Sequence, residues 1–263
     1  MTPVGPRGRS APVMAASARH RRTGVTGGPR HATAVAEARE PERDRPGLVA
    51  FVLDRLRALY GEPDWAPRRS PTEELVLTIL SQHTSDLNAE RAFDELVTRF
   101  PDWESVTAAG VDDVAAAIAS GGLARQKAPR IQAALRRIQA ERGDFDLGFL
   151  AEMEPREARD WLVRFDGIGP KTASVVLLFC FGKPLMPVDT HVHRVTRRIG
   201  LIPEGMPADR AHDAALDVFP AARMYEAHVN LITHGRRTCT ARNPACGRCP
   251  VAPRCRYVDP AAP

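Results

Sequence analysis

Apolar residues recur at helical spacing along most of the chain. Leu48, Phe51, Val52, Leu56 and Leu59 form the first stripe, closed by Gly61 and Pro63. Ser70-Pro71-Thr72-Glu73 opens the next helix, with a serine cap, proline in the first turn and glutamate three residues on, ahead of Leu75, Val76, Ile79 and Leu80. Phe93, Leu96, Val97 and Phe100 predict a third helix. Val114 and Ile118 predict another, running to Gly121-Gly122, and Ile131, Leu135 and Ile138 line one face of a basic helix after Leu123. Ala158, Trp161, Leu162 and Phe165 give one more stripe. The run from Ala173 to Phe181 is apolar nearly all round, the pattern of a helix buried at the centre of a core. Further helices fit Thr190–Ile199, Ala208–Phe219 and Arg223–His234. No segment alternates convincingly at period two, so the chain reads as all-α.

Between these stripes lie three informative interruptions. Ser81-Gln82-His83-Thr84-Ser85-Asp86 is polar; it reads as a helix end followed by a cap, Ser85 or Asp86, and functionally Gln82 and His83 would add a tip for DNA. Gly121-Gly122-Leu123 is a helix–helix turn carrying a leucine. The third is Phe165-Asp166-Gly167-Ile168-Gly169-Pro170-Lys171-Thr172-Ala173, where two glycines flank one apolar residue in the manner of a tight hairpin between helices. Glycine there lets the backbone turn sharply and approach a ligand. The helix that opens at about Lys171 points its free N–H groups and dipole at whatever lies before the hairpin, a site suited to phosphate.

Charge changes this picture only locally. Of 263 residues, the first 45 hold nine arginines and four acidic residues, so that segment alone supplies the whole net charge of +5. With little apolar periodicity it reads as a disordered basic tail; its acid-free first 36 residues also fit an organellar transit peptide, or a segment ahead of an alternative start at Met14. From Pro46 onward the chain is neutral overall, with basic patches at 121–140 (Arg125, Lys127, Arg130, Arg136, Arg137) and 234–256. Such patches suit a nucleic-acid footprint better than bulk charge does. No apolar run approaches the ~20 residues of a bilayer span, so no membrane partner is expected.

Lys171 is followed eighteen residues later by Asp189, in Pro187-Val188-Asp189-Thr190-His191. The two pair a potential amine nucleophile with a potential anionic partner. Alone, Lys171 would serve equally as a phosphate-binding lysine, and Asp189 as the cap of the helix from Thr190; one carboxylate oxygen can cap while the other faces a site. Four of the five cysteines follow the last helix as Cys239-x6-Cys246-x2-Cys249-x5-Cys255. That is metal-ligand usage and fits a reducing cytoplasm. Ligand count alone admits zinc or an iron–sulfur cluster. Cys180, inside the most apolar helix, reads as a small buried hydrophobe.

The hairpin with its lysine, the Gly182–Pro187 turn, Asp189 and the cysteine spacing, in that order, resemble the helix-hairpin-helix base-excision DNA glycosylases, the endonuclease III type in particular, over roughly residues 46–258. The resemblance implies a six-helix domain over 66–184 that carries the hairpin. It implies a helical domain over 185–258 with the cluster loop, joined by the N-terminal helix 46–65, and a short tail at 259–263. It implies a [4Fe–4S] cluster on Cys239, Cys246, Cys249 and Cys255 with a structural role. The implied partner is double-stranded DNA with damaged or abasic sites, bound by a monomer, in the cytoplasm of a bacterium. Lys171 would be the Schiff-base nucleophile and Asp189 the catalytic carboxylate of a bifunctional glycosylase and abasic-site lyase for oxidised pyrimidines. Gly167, Ile168 and Gly169 would hold a phosphate through backbone N–H groups. Gln82 or His83, with Leu123, would fill the space left by an extruded base; the gapless match puts His83 at the intruding position and His191 near the DNA. The rival readings are a monofunctional mismatch glycosylase, which needs no Lys171, and a non-catalytic iron–sulfur DNA-binding protein, which needs neither Lys171 nor Asp189.

Overall fold

The computed structural model describes residues 45–260, and every described element is helical. The helices are α1 Arg45–Tyr60, α2 Pro71–Ser81, α3 Asp86–Arg99, α4 Trp103–Ala108, α5 Val111–Ala117, α6 Ala124–Arg142, α7 Pro155–Val163, α8 Pro170–Phe181, α9 Thr190–Ile199, α10 Ala208–Val218 and α11 Met224–Arg237. The disordered-tail reading of residues 1–45 lies outside the described residues, except that Arg45 opens α1. Residues 261–263 also lie outside them, whereas Asp259 bonds back through its N–H to the Cys255 carbonyl at 3.0 Å. Among the described residues no helix is long and apolar enough to cross a membrane.

Local chemistry sets the starts. Ser70 Oγ accepts from the Glu73 N–H at 3.3 Å, and Glu73 Oε2 accepts from the Ser70 N–H at 2.8 Å, a complete capping box. Ser85, Asp102 and Asp189 cap α3, α4 and α9 through the side chain only, each accepting from the N–H three residues on; each such cap contributes about 1 kcal/mol. The ends differ in places from the periodicity. α5 stops at Ala117, and a 3-10 turn over Ala119–Gly121 takes up the residues before Gly122. Phe165, placed by pattern on α7, sits in the turn after it yet stays buried. α4 was invisible to periodicity because six residues make too few turns to show a stripe.

Two apolar cores organise the chain. The first collects Leu75, Ile79 and Leu80 of α2 with Leu96, Ile131, Leu135, Leu162 and Leu177. The second collects Leu48, Val52 and Leu56 of α1 with Val195, Ile199, Leu231 and Val251. α8 belongs to both: Leu177 faces the first core and Leu178 the second. This is why its sequence is apolar all round. The linker after α1 is pinned to it by Trp65, whose Nε1–H donates to the Leu178 carbonyl at 2.9 Å. Cys180 packs on the first core, and burial pushes its thiol up to about 12, which makes it inert.

Candidate active site and cysteine loop

Because α8 spans both cores, its first turn opens into a cleft between them. That cleft, about 420 Å³, is walled by Thr78 and Ser81 of α2, Lys171, Val175 and Phe179 of α8, Asp189, and His228 of α11. Lys171 and Asp189 therefore share one cavity. Asp189 is at once a cap and a wall residue: its Oδ1 accepts from the Val192 N–H at 2.7 Å, and no described residue engages Oδ2. Lys171 is half-buried and makes no ion pair among the described residues. The amine and the carboxylate thus line one cleft with no ion pair between them among the described residues.

The hairpin sorts its three residues. Gly167 is left-handed at φ +79°, an angle that favours glycine, and a Cβ there would stand 3.0 Å from Arg130 Cδ and push that side chain aside. Gly169 is extended, at φ −92° and ψ 177°, and a Cβ on it would meet nothing; the turn itself does not require that glycine. The N–H of Ile168 is spent on the Phe165 carbonyl at 3.0 Å and its side chain is buried. Ile168 is therefore an anchor of the hairpin, and of the three proposed phosphate donors only Gly167 and Gly169 keep N–H groups that no described residue takes up.

The two tip candidates separate as well. Gln82 is half-buried, its Nε2 donating to the Gly167 carbonyl at 3.2 Å. It ties the α2 end to the hairpin. His83 is exposed and left-handed at φ +56°. Leu123 is 47% exposed and left-handed at φ +52°. His191 is half-buried beside α11, its Nδ1 accepting from Arg194 Nη2 at 3.1 Å, and Gly235 lets the two helices approach: a Cβ there would lie 2.8 Å from the His191 Cβ. Of the basic stretch 121–140, Lys127 is buried, and Arg136 and Arg137 bond to carbonyl or carboxylate groups of the protein. Only Arg125 and Arg130 of that set have no partner among the described residues.

His228 was missed by the sequence reading. It sits on the buried stripe of α11 with Met224, Ala227 and Leu231, and a histidine on such a stripe was the available signal. Its Nδ1 has no hydrogen-bond partner among the described residues, and its ring stands edge-on to Phe179 at 5.6 Å. Burial holds its imidazole down at about 4, against the ordinary 6.5, with Asp189 and Lys171 close enough to act on it. Burial likewise lowers His212. A folded value below the unfolded one means that the unfolded chain takes up protons first. Both contributions are therefore fully present above about pH 6.5 and are lost as pH falls below it, for His228 toward 4. The unfolding free energy from urea titration should drop between pH 7 and 5, by on the order of 2 kcal/mol from His228 alone. His228→Asn should remove its share of that slope, while His234, also held down at about 4 by burial, keeps its own; an unchanged slope would remove His228 as a source.

Past α11 the four cysteines Cys239, Cys246, Cys249 and Cys255 line one cavity and none is in a disulfide. Burial, and the other thiols beside them, push Cys249 and Cys255 up, so they gain from a cationic centre. Among the described residues no three His, Cys, Asp or Glu side chains stand where they could hold a single metal ion. By number, the four thiols around this cavity meet the ligand count of either a zinc or an iron–sulfur site. Arg198 Nη1 reaches Cys239 Sγ at 3.5 Å, and His234 Nε2 lies 3.5 Å from Cys249 Sγ.

The model of HhH-GPD superfamily base excision DNA repair proteins matches residues 76–220, and that of the iron–sulfur binding domain of endonuclease III matches residues 239–255. Endonuclease III of Escherichia coli is 34% identical over 209 residues, covering 79% of this chain and 94% of that protein. A putative DNA glycosylase of Arabidopsis thaliana is 35% identical over 167 residues, covering 64% of this chain and only 57% of the plant protein. Among solved structures, a trapped covalent intermediate of endonuclease III with DNA superposes with a TM-score of 0.68 at 27% identity, covering 81% of this chain and 96% of that one.

Proposed function

The chain belongs to the HhH-GPD superfamily of base excision DNA repair proteins, and from that premise we propose that it is bifunctional, a DNA glycosylase and abasic-site lyase that removes oxidised pyrimidines from duplex DNA. The observation that carries this reading is the unpaired Lys171 amine at the mouth of α8, in one cleft with a carboxylate whose second oxygen is free. A monofunctional enzyme or a non-catalytic binder could use that amine to hold phosphate but needs no carboxylate facing the same cleft.

The target base is stacked in a duplex and must leave it to reach the cleft. Gly167 and Gly169 would grip a backbone phosphate, while His83 and Leu123 occupy the vacated space. As the N-glycosidic bond breaks, its electron pair leaves with the base and positive charge develops on the sugar, which Asp189 faces. The Lys171 amine, once it has shed its proton, attacks C1′ and forms a Schiff base. Loss of a proton from C2′ then expels the 3′ phosphate by β-elimination and nicks the strand. His228, held neutral, adds no positive charge to compete with the sugar cation. Borohydride added during incubation with abasic DNA should yield a covalent protein–DNA adduct; persistent absence of adduct from protein that binds the DNA would favour the monofunctional alternative.

The cysteine loop holds a [4Fe–4S] cluster, which acts as a clip for the second core and supplies no bond-breaking chemistry. Purified protein should contain iron and sulfide in near-equal amounts. Cys239→Ser should lose the cluster's visible absorbance and lower the melting temperature. Stoichiometric zinc in anaerobically prepared protein would contradict the assignment.

A further inference from the structure

Lys127 is the least expected side chain in the molecule. It lies on the first turn of α6, 1% exposed, inside the first core and without a carboxylate partner. Its Nζ donates to the Leu80 carbonyl at 2.6 Å and to the Gly121 carbonyl at 2.8 Å. An ammonium in such a place is costly unless its hydrogen bonds do something that packing cannot. These two carbonyls belong to the stems of two different loops. Leu80 is in the last turn of α2, three residues before His83. Gly121 closes the 3-10 turn, two residues before Leu123. That turn is pressed onto α3, since a Cβ on Gly121 would stand 2.9 Å from the Ala92 Cβ. His83 and Leu123 are both exposed non-glycine residues held in the left-handed region, a conformation that persists only where the surroundings impose it.

We infer that Lys127 is a positioning residue: its buried amine clamps the α2 stem to the 3-10 turn and so sets the separation of His83 and Leu123, making the two tips a single duplex-opening device. This rests on the proposed reading that those tips enter the duplex. The clamp acts on opening and leaves the Lys171 and Asp189 chemistry alone. Single-stranded DNA with one abasic site needs no opening, so it separates the two steps.

The test uses full-length, cluster-loaded protein. Lys127→Met keeps the stem and removes the donors. Its single-turnover rate on duplex abasic DNA should fall at least about tenfold, the scale on which small misplacements act. Its rate on the single strand should stay within about twofold. A 2-aminopurine beside the site should show a matching loss of the opening signal. Equal loss on both DNAs would reduce Lys127 to a stabilising residue. Should Lys127→Met not fold, the exposed tips decide. If one clamp holds them as a unit, His83→Ala and Leu123→Ala should be non-additive, the double variant being no slower on duplex than the slower single one. Additive losses would overturn the clamp. Wild-type protein that opens duplex but cleaves neither DNA would overturn the lyase reading instead, and the 2-aminopurine signal would still test the clamp.

Discussion

Lys171→Gln abolishes borohydride trapping and strand nicking together, by at least about a thousandfold, as expected for loss of a covalent nucleophile. Glutamine keeps a polar side chain of similar reach, so the α8 start and the Gly167 turn are undisturbed. Lys171 makes no ion pair among the described residues, so its removal strands no buried carboxylate and the melting temperature should hardly move. Duplex binding should survive with some loss of affinity and a slightly smaller salt dependence, since one cation facing phosphate is gone. The measurement is adduct formation on abasic duplex by gel and mass, with binding followed in the same samples. A full yield of adduct from Lys171→Gln would end the nucleophile assignment.

Asp189→Asn should slow base release from a lesion by about a hundredfold or more, the usual cost of removing one group aimed at a developing charge. Asparagine caps helices as well as aspartate does. The Oδ1 bond to the Val192 N–H can therefore persist, and the effect will be electrostatic rather than structural. A pre-formed abasic site has no base left to expel, so the variant should retain far more of its activity there. Single-turnover rates on both substrates decide the matter. Equal slowing on the two would place Asp189 in the elimination step, or in positioning Lys171, and not chiefly in stabilising the sugar cation. Asp189→Ala is the control: it should add a loss of about 1 kcal/mol in stability from the missing cap.

The chain's order of residues determined the helical class, most helix starts, the hairpin, the Lys171 and Asp189 pair and the four-cysteine loop. These are local properties: periodicity, caps and ligand spacing are set by residues within a few turns of one another. The tertiary structure alone decided which residues are free to act. Gln82 and His83 are neighbours of similar polarity, yet one is tied to the hairpin and the other is exposed, because the hairpin arrives from 85 positions away. Ile168 sits in the middle of the motif, but its N–H is already used. Lys127 stands one turn before Ile131 on the buried stripe of α6, and only the approach of the α2 end, 47 positions away, gives its amine the Leu80 carbonyl. His228 becomes a cleft residue only when α8 and α11 meet around Phe179. The stripe of a helix encodes burial, as at His228 and Lys127, but hydrogen-bond partnership belongs to pairs of segments distant along the chain, and no spacing within one segment encodes it.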